Sequence, residues 1–169
     1  MTGMQSTEIL NRLLEIREID DNERDIFLNP SYETGLHDPF LMLGMEKAVS
    51  RIVHAINKDE HIVIYSDYDA DGIPGAVVIS DFFKKISYEN YEVYIPHRND
   101  EGYGMSHEAT DFFKKNGVTL MITIDCGIAD VEEVAYAHSL GIDVIVTDHH
   151  LPHEVLPEAF AIINPKQPG

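Results

Sequence analysis

The sequence predicts an α/β fold of three layers, in which a parallel β-sheet is flanked by helices. Five short apolar runs recur after residue 61, and segments with helical spacing separate most of them. Strands that alternate with helices in this way form βαβ units, which build parallel sheets. The runs are apolar throughout rather than alternating, so helices are expected to cover both faces of the sheet.

The first third of the chain carries no strand signal. A helical stripe covers residues 6–18, and a loop at 36–41 leads into a second predicted helix over about 40–57. We expect residues 1–57 to form a helical N-terminal extension packed on the core. Residues 58–169 are expected to form the α/β domain.

The remaining elements follow in order. Ser106 is a suitable N-cap, and Asn116-Gly117 a suitable end, for the central helix of the domain. The predicted strands are 62–65, 91–95, 119–124, 142–147 and 160–163, and the predicted helices are 76–86, 107–116 and 130–140.

Composition limits the function. The 169 residues carry a formal net charge of −18, which excludes a protein that grips nucleic acid through its whole surface. A phosphate-bearing substrate would need local metal ions and a few cationic side chains. The single cysteine, the absence of a signal-peptide pattern and the absence of a long apolar run predict a cytoplasmic protein without a membrane span.

Three aspartates, Asp67, Asp69 and Asp71, follow the first strand at alternate positions. Residues two apart in an extended segment face the same way, so Asp67 and Asp69 are expected to converge. Two carboxylates this close repel each other unless a cation lies between them, which favours a hard divalent metal. For Asp71 we favour the simpler role of capping the next helix.

Acids or histidines follow two further strands, as Asp125 and as Asp148-His149-His150. The C-terminal ends of parallel strands share one edge of the sheet, so the three clusters should meet there, near a switch in strand order. Carboxylates with imidazole suit Mn²⁺ or Mg²⁺, and this many ligands favours two ions that share Asp125. Two such ions clamp a phosphoryl group and generate a hydroxide nucleophile.

Three other side chains are candidates for a role in the site. Cys126 is interpreted as a buried, inert thiol rather than a ligand. His97 and Arg98 follow the second strand, at the same edge as the acids. Arg98 suits a bidentate phosphate contact, and a surface ion pair with Asp100 or Glu101 explains it equally well.

The motifs resemble those of the DHH phosphoesterase superfamily, and most closely those of its single-strand-specific 5′-to-3′ exonucleases. The resembling segments are Leu36-His37-Asp38-Pro39-Phe40, Asp67-Tyr68-Asp69-Ala70-Asp71-Gly72, Ile95-Pro96-His97-Arg98, Glu101-Gly102-Tyr103-Gly104, Asp125-Cys126-Gly127, Asp148-His149-His150 and Asn164-Pro165-Lys166.

The resemblance implies a hydrolase that digests single-stranded DNA in repair or recombination, with two Mn²⁺ or Mg²⁺ ions. Its implied metal ligands are Asp67, Asp69, Asp125 and His149. It further implies that His150 contacts the scissile phosphate, that Asp148 supports the histidines, and that His97 and Arg98 bind substrate phosphates.

The family also uses a later aspartate ligand and a C-terminal domain, which this sequence does not contain. We therefore expect an incomplete fragment of a longer enzyme, whose domain is truncated at its C-terminal end and whose activity alone is open. Two alternatives remain. One is a phosphoesterase of short oligonucleotides, cyclic dinucleotides or polyphosphate. The other is a non-catalytic replication or repair scaffold.

Overall fold

The computed structural model describes residues 3–167 of the chain. Five parallel strands form one sheet in the order β2-β1-β3-β4-β5. The strands are β1 (His61–Ser66), β2 (Tyr91–Tyr94), β3 (Val118–Ile124), β4 (Asp143–Thr147) and β5 (Ala161–Ile163). The helices are α1 (Gly3–Ile16), α2 (Arg24–Leu28), α3 (Tyr32–Gly35), α4 (Met45–Lys58), α5 (Gly72–Lys85), α6 (His107–Lys115) and α7 (Val131–Ser139).

The strand order changes direction at β1. The chain runs from β1 outward to β2 and then returns past β1 to add β3, β4 and β5 on the other side. Such a switch point opens a crevice at the C-terminal ends of the two strands beside it. Here those strands are β1 and β3, whose last paired residues are Ser66 and Ile124.

The core lies on both faces of the sheet because successive strand residues point to opposite sides. Ile62 and Ile64 of β1 belong to an apolar cluster that includes residues of α4 and α5. Val63 and Tyr65 belong to a second cluster that includes residues of α6 and α7. The predicted three-layer parallel α/β fold is therefore confirmed.

An ionic network lies at the opposite edge of the sheet, where the strands begin. Arg51 of α4 donates from Nε to Asp143 at 2.6 Å and from Nη2 to Glu60 at 2.7 Å. Thr119 at the start of β3 donates its hydroxyl to the same Glu60 carboxylate at 2.7 Å. The network links α4 to the beginnings of β1, β3 and β4.

The described chain divides into two compact units, one ending at Asp38 and the other beginning at Pro39. The first contains only α1, α2 and α3. The second contains α4 and the whole sheet. The division into an N-terminal extension and a catalytic domain at residue 57 stays a prediction.

Most predicted elements occur within a few residues of their expected bounds. Three differ. α5 begins at Gly72, four residues before the predicted start, and the predicted helix over 40–57 is a 3₁₀ turn at Pro39–Leu41 followed by α4. The short helices α2 and α3 were not predicted. Within residues 3–167, no helix combines the length and apolar character that a membrane crossing requires.

Candidate metal centre

The first acidic turn connects β1 to α5 through a close backbone contact. Asp67 directly follows β1 and is buried, and its backbone N–H donates to the carbonyl of Ile124 at the end of β3. A Cβ atom on Gly72 would lie 2.4 Å from the Asp67 carbonyl oxygen. Only glycine fits at this position, so the residue that begins α5 also fixes the turn that carries Asp67.

Asp69 performs the capping role that the sequence assigned to Asp71. The Asp69 carboxylate accepts hydrogen bonds from the backbone N–H groups of Gly72 and Asp71, at 3.1 and 2.8 Å, and these bonds hold its pKa below the ordinary value. Asp71 occupies the N-cap position, yet its side chain accepts no hydrogen bond from the described helix. The capping prediction for Asp71 was therefore wrong. The two donors that an N-cap side chain uses are not open to it, because the Ile73 N–H donates to the Asp69 carbonyl and Pro74 has no N–H.

Asp125 follows β3 in a left-handed conformation with φ of 60°. It is buried, and neither of its carboxylate oxygens has a partner with hydrogen-bond geometry among residues 3–167, although Nε2 of His149 approaches Oδ1 to 2.9 Å. Burial raises the pKa of Asp125, and so does the neighbouring Asp69 carboxylate, while His149 and His150 act in the opposite direction. A buried carboxylate without hydrogen-bond donors is costly to the fold unless a cation compensates for it.

Asp148 organises the histidine turn after β4. Its buried carboxylate accepts backbone N–H groups from Ile128 at 3.0 Å, His149 at 2.7 Å and His150 at 2.9 Å. It also lies 2.8 Å from Nδ1 of the His150 ring. The Asp148 carboxylate therefore contacts the backbone of both histidines and the ring of His150.

The two histidine rings are half-exposed beside Asp125. Nε2 of His149 lies 2.9 Å from Oδ1 of Asp125 and 3.9 Å from Oδ2 of Asp71. Nδ1 of His150 lies 3.9 Å from the same Asp125 oxygen. Asp71, which was predicted only to cap a helix, thus lies beside the His149 ring.

Two groups of potential metal ligands share Asp125. One consists of Asp67, Asp69 and Asp125, and the other of Asp125, His149 and His150. In each group the ligand atoms lie within 4.8 Å of one another. Oδ1 of Asp67, like both oxygens of Asp125, is buried without a hydrogen-bond partner among the described residues. Oxygen-rich ligands with free lone pairs fit hard divalent ions.

His97 and Arg98 are held differently from each other. His97 lies 2.7 Å from Asp100, and its backbone N–H donates to Glu101. The Arg98 guanidinium instead stacks over the ring of Tyr68, 4.7 Å from its centroid. Tyr68 stands between the first two acids of the site, so this contact brings a cation beside the acidic turn.

Two residues near the histidines, Tyr103 and Asn164, lie in resembling segments, but no role was predicted for either. The Tyr103 hydroxyl donates to the carbonyl of Asp125 at 3.1 Å and lies 3.3 Å from Nδ1 of His150. Buried Asn164 donates to the His150 carbonyl at 2.9 Å. An aromatic residue between two glycines at the active edge was the available signal for Tyr103. Cys126 is buried as predicted, and burial raises the pKa of its thiol.

The carboxylates and histidines thus gather at the switch point of a parallel α/β domain, in groups that could hold metal ions. The family model described as "DHH family, N-terminal domain" matches residues 61–169, well over half of the chain. The chain belongs to the DHH family.

Within this family, the chain is similar to particular exonucleases. The chain is 43% identical to the single-stranded-DNA-specific exonuclease RecJ of Bacillus subtilis over 163 residues, which are 96% of this chain and 21% of that protein. It is 34% identical to RecJ of Haemophilus influenzae over 157 residues, which are 93% of this chain and 27% of that protein. The chain therefore spans about a fifth to a quarter of the length of these curated relatives.

Solved structures show the same similarity. A crystal structure of exonuclease RecJ bound to manganese matches 77% of this chain and 33% of its own, with a TM-score of 0.70 and 29% identity. RecJ from Thermus thermophilus in complex with Mn²⁺ matches 73% of this chain and 17% of its own, with a TM-score of 0.62 and 26% identity.

Proposed function

We propose that this chain is the metal-binding part of a phosphodiesterase that digests single-stranded DNA from the 5′ end. The single observation that carries the proposal is the pair of ligand groups sharing Asp125 at the switch point, with three buried carboxylate oxygens lacking donors among the described residues. The similarity to RecJ exonucleases supplies the substrate class.

The residues present suit two Mn²⁺ or Mg²⁺ ions. We assign Asp67, Asp69, Asp125 and His149 as ligands, with Asp125 shared between the ions, and both RecJ structures described as manganese-bound support Mn²⁺. When bound, two such ions supply Lewis-acid polarisation of a phosphoryl group and a nucleophile at neutral pH.

The chain's own side chains orient the substrate. His150 has Nδ1 engaged by Asp148, so its other ring nitrogen, Nε2, is the atom that we assign to the scissile phosphate. Asp148 accepts the backbone N–H groups of both histidines and so holds the turn that carries the His150 ring.

Arg98 and His97 are assigned to the phosphates beyond the scissile bond. Stacking of Arg98 on Tyr68 keeps its planar guanidinium beside the acidic turn, where its N–H groups suit a bidentate contact with phosphate. His97 lies 2.7 Å from Asp100, which holds its ring at the same loop as Arg98. Cations placed locally in this way compensate for an acidic surface.

The assay is digestion of a 5′-phosphorylated single-stranded oligonucleotide in Mn²⁺ by the full-length product of the gene. We expect mononucleotides to be released from the 5′ end, slower digestion of the blunt duplex, and a loss of at least about a hundredfold in kcat for Asp125→Asn. Asp81→Asn, on the exposed side of α5, is the matched control and should keep full activity. Equal digestion by wild type and Asp125→Asn would contradict the proposal.

A second candidate is a phosphoesterase of short oligonucleotides, cyclic dinucleotides or polyphosphate. The net charge of −18 favours it, because a long polyanion is repelled over its whole length and a short one only locally. A higher kcat/KM on a dinucleotide than on a long strand would select this candidate.

We further propose a role in DNA repair or recombination and a cytoplasmic location. The free, buried thiol of Cys126 is compatible with a reducing compartment.

A further inference from the structure

Tyr103 connects the two ligand groups through a single hydroxyl. The hydroxyl donates to the backbone carbonyl of Asp125 at 3.1 Å and lies 3.3 Å from Nδ1 of His150. The Tyr103 and His150 rings meet edge to face, with centroids 6.0 Å apart and an interplanar angle of 80°. The contact therefore restrains both the position and the tilt of the His150 ring.

The loop that carries Tyr103 is fixed immediately after it. The buried Tyr65 hydroxyl donates to the Gly104 carbonyl at 2.8 Å, and the Met105 N–H donates to the Asp130 carboxylate at 2.8 Å. Gly104 has φ of 86°, and a Cβ there would lie 2.7 Å from Asp130. Tyr103 is consequently presented by a rigid loop rather than by a free surface segment.

The protons of this arrangement can be assigned. A tyrosine hydroxyl has one proton, and its donation to the Asp125 carbonyl leaves only lone pairs for His150. The second neighbour of Nδ1, Oδ1 of Asp148, already accepts two backbone N–H groups. Both neighbours thus present acceptors to Nδ1, so the proton of the neutral ring belongs on Nδ1 and the lone pair on Nε2.

We propose that Tyr103 is a positioning residue for His150. Its hydroxyl ties the ring to the Asp125 carbonyl, keeps the proton on Nδ1 and so reserves Nε2 for the substrate. The 2.8 Å contact with Asp148 restrains the half-exposed ring at Nδ1, and Tyr103 supplies a second acceptor that further opposes rotation about the Cβ–Cγ bond. The role of Nε2 rests on the proposed function, whereas the tautomer does not.

The first test measures the His150 ring in the metal-free chain by ¹H–¹⁵N NMR, at a pH above the ordinary histidine pKa of about 6.5. The wild type should show one tautomer, with a protonated Nδ1 and an unprotonated Nε2. In Tyr103→Phe the two nitrogen shifts should move toward each other, as a mixture of tautomers requires. Tyr136→Phe removes a comparable hydroxyl, bonded to Asp111 at 2.7 Å, and should leave the shifts unchanged. Identical His150 shifts in Tyr103→Phe and the wild type would overturn the proposal.

The second test uses the nuclease assay with the full-length gene product. Tyr103→Phe should lower kcat about tenfold and change KM by less than about twofold, because the substrate contacts remain and only the ring direction is lost. In a His150→Ala background the same substitution should have no further effect, whereas a purely structural role would be additive. Unchanged kcat in Tyr103→Phe, with an active wild type, refutes the positioning role. An inactive wild type refutes the proposed function, and the tautomer measurement still decides the role of Tyr103.

Discussion

The ionised Asp125 carboxylate suits a metal ligand but destabilises the metal-free fold. It is buried with two oxygens that accept no hydrogen bond from the described residues, and burial together with Asp69 raises its pKa. A carboxyl whose folded-state pKa lies above the unfolded value of about 3.9 stabilises the fold only while protonated. This stabilisation is lost as the pH rises through the folded-state pKa. The ionised Asp125 carboxylate therefore lowers the unfolding free energy of the metal-free protein at neutral pH.

We therefore predict that Asp125→Asn stabilises the metal-free chain at pH 7 by about 1 kcal/mol, because the amide carries no charge to desolvate. The same variant should lose the rise in Tm that Mn²⁺ gives to the wild type. Thermal unfolding with and without Mn²⁺ measures both effects. Below the unfolded pKa of about 3.9 the two proteins should converge, and Asp81→Asn should match the wild type throughout. A destabilised metal-free Asp125→Asn would contradict the argument.

Gly72 tests the close contact behind Asp67. Gly72→Ala places a Cβ 2.4 Å from the Asp67 carbonyl, and that backbone must move for the side chain to fit. We expect a loss of about 2 kcal/mol in unfolding free energy and weaker Mn²⁺ binding, both from the displaced turn. Urea unfolding and Mn²⁺ titration measure them. Gly35→Ala is the matched control, because its Cβ would meet no described atom within 4 Å. Equal stability of Gly72→Ala and the wild type would refute the contact.

The helices and strands show which signals a sequence carries. Continuous apolar runs located all five strands, and the acids and histidines that follow three of them lie together at one edge of the sheet. The start of α5 was missed because Gly72 and Pro74 resemble a turn, although proline is tolerated in the first turn of a helix. The 3₁₀ turn and left-handed Gly44 ahead of α4 were likewise hidden by a continuous helical pattern.

The contacts between loops lay beyond sequence reasoning. Strand-end spacing predicts which edge a residue occupies but not the direction in which a long loop runs. Tyr103 reaches Asp125 across 22 residues of sequence, and Asn164 reaches His150 across 14. The sequence also did not determine which aspartate accepts the first N–H groups of α5, since both Asp69 and Asp71 precede the helix closely enough to cap it.

The ionic network below the sheet gives a prediction for α4 and the strand beginnings. Burial acts to raise the pKa of Glu60, but hydrogen bonds from Thr119 and Arg51 outweigh it and lower the pKa. A lowered pKa means stability that is present above the unfolded value of about 4.3 and lost as the pH falls through the folded value.

Glu60→Gln should therefore cost about 2 kcal/mol of unfolding free energy at pH 7, because Arg51 loses a charged partner. The difference from the wild type should shrink toward pH 3, where the wild-type carboxylate becomes protonated. Urea unfolding at several pH values measures this trend. Exposed Glu89→Gln is the control and should follow the wild type at every pH. If the difference in unfolding free energy between Glu60→Gln and the wild type grew on acidification, the lowered pKa of Glu60 would be contradicted.

The net charge of the chain limits which of its groups can attract a polyanion such as DNA. With 12 Lys and Arg against 30 Asp and Glu, attraction between the chain and DNA cannot come from the general surface. Under the proposed function, the attraction comes from bound metal and from local cations such as Arg98. Release of counterions from single-stranded DNA lowers the logarithm of the binding constant with a slope of about −0.7 per phosphate neutralised. An acidic protein that uses one or two cations should therefore show a shallow salt dependence.

We predict a slope of about −0.7 to −1.4 for binding of the chain, in Mn²⁺, to a single-stranded oligonucleotide with hydrolysis-resistant linkages. Arg98→Ala should reduce the magnitude of the slope by about 0.7, because one phosphate contact is lost. Lys58→Ala, at the end of α4 that leads into the start of β1, should not change it. Fluorescence anisotropy across a series of salt concentrations measures all three slopes. A wild-type slope steeper than about −3 would mean that an extended basic surface engages the strand, and the reliance on a few local cations would then be wrong.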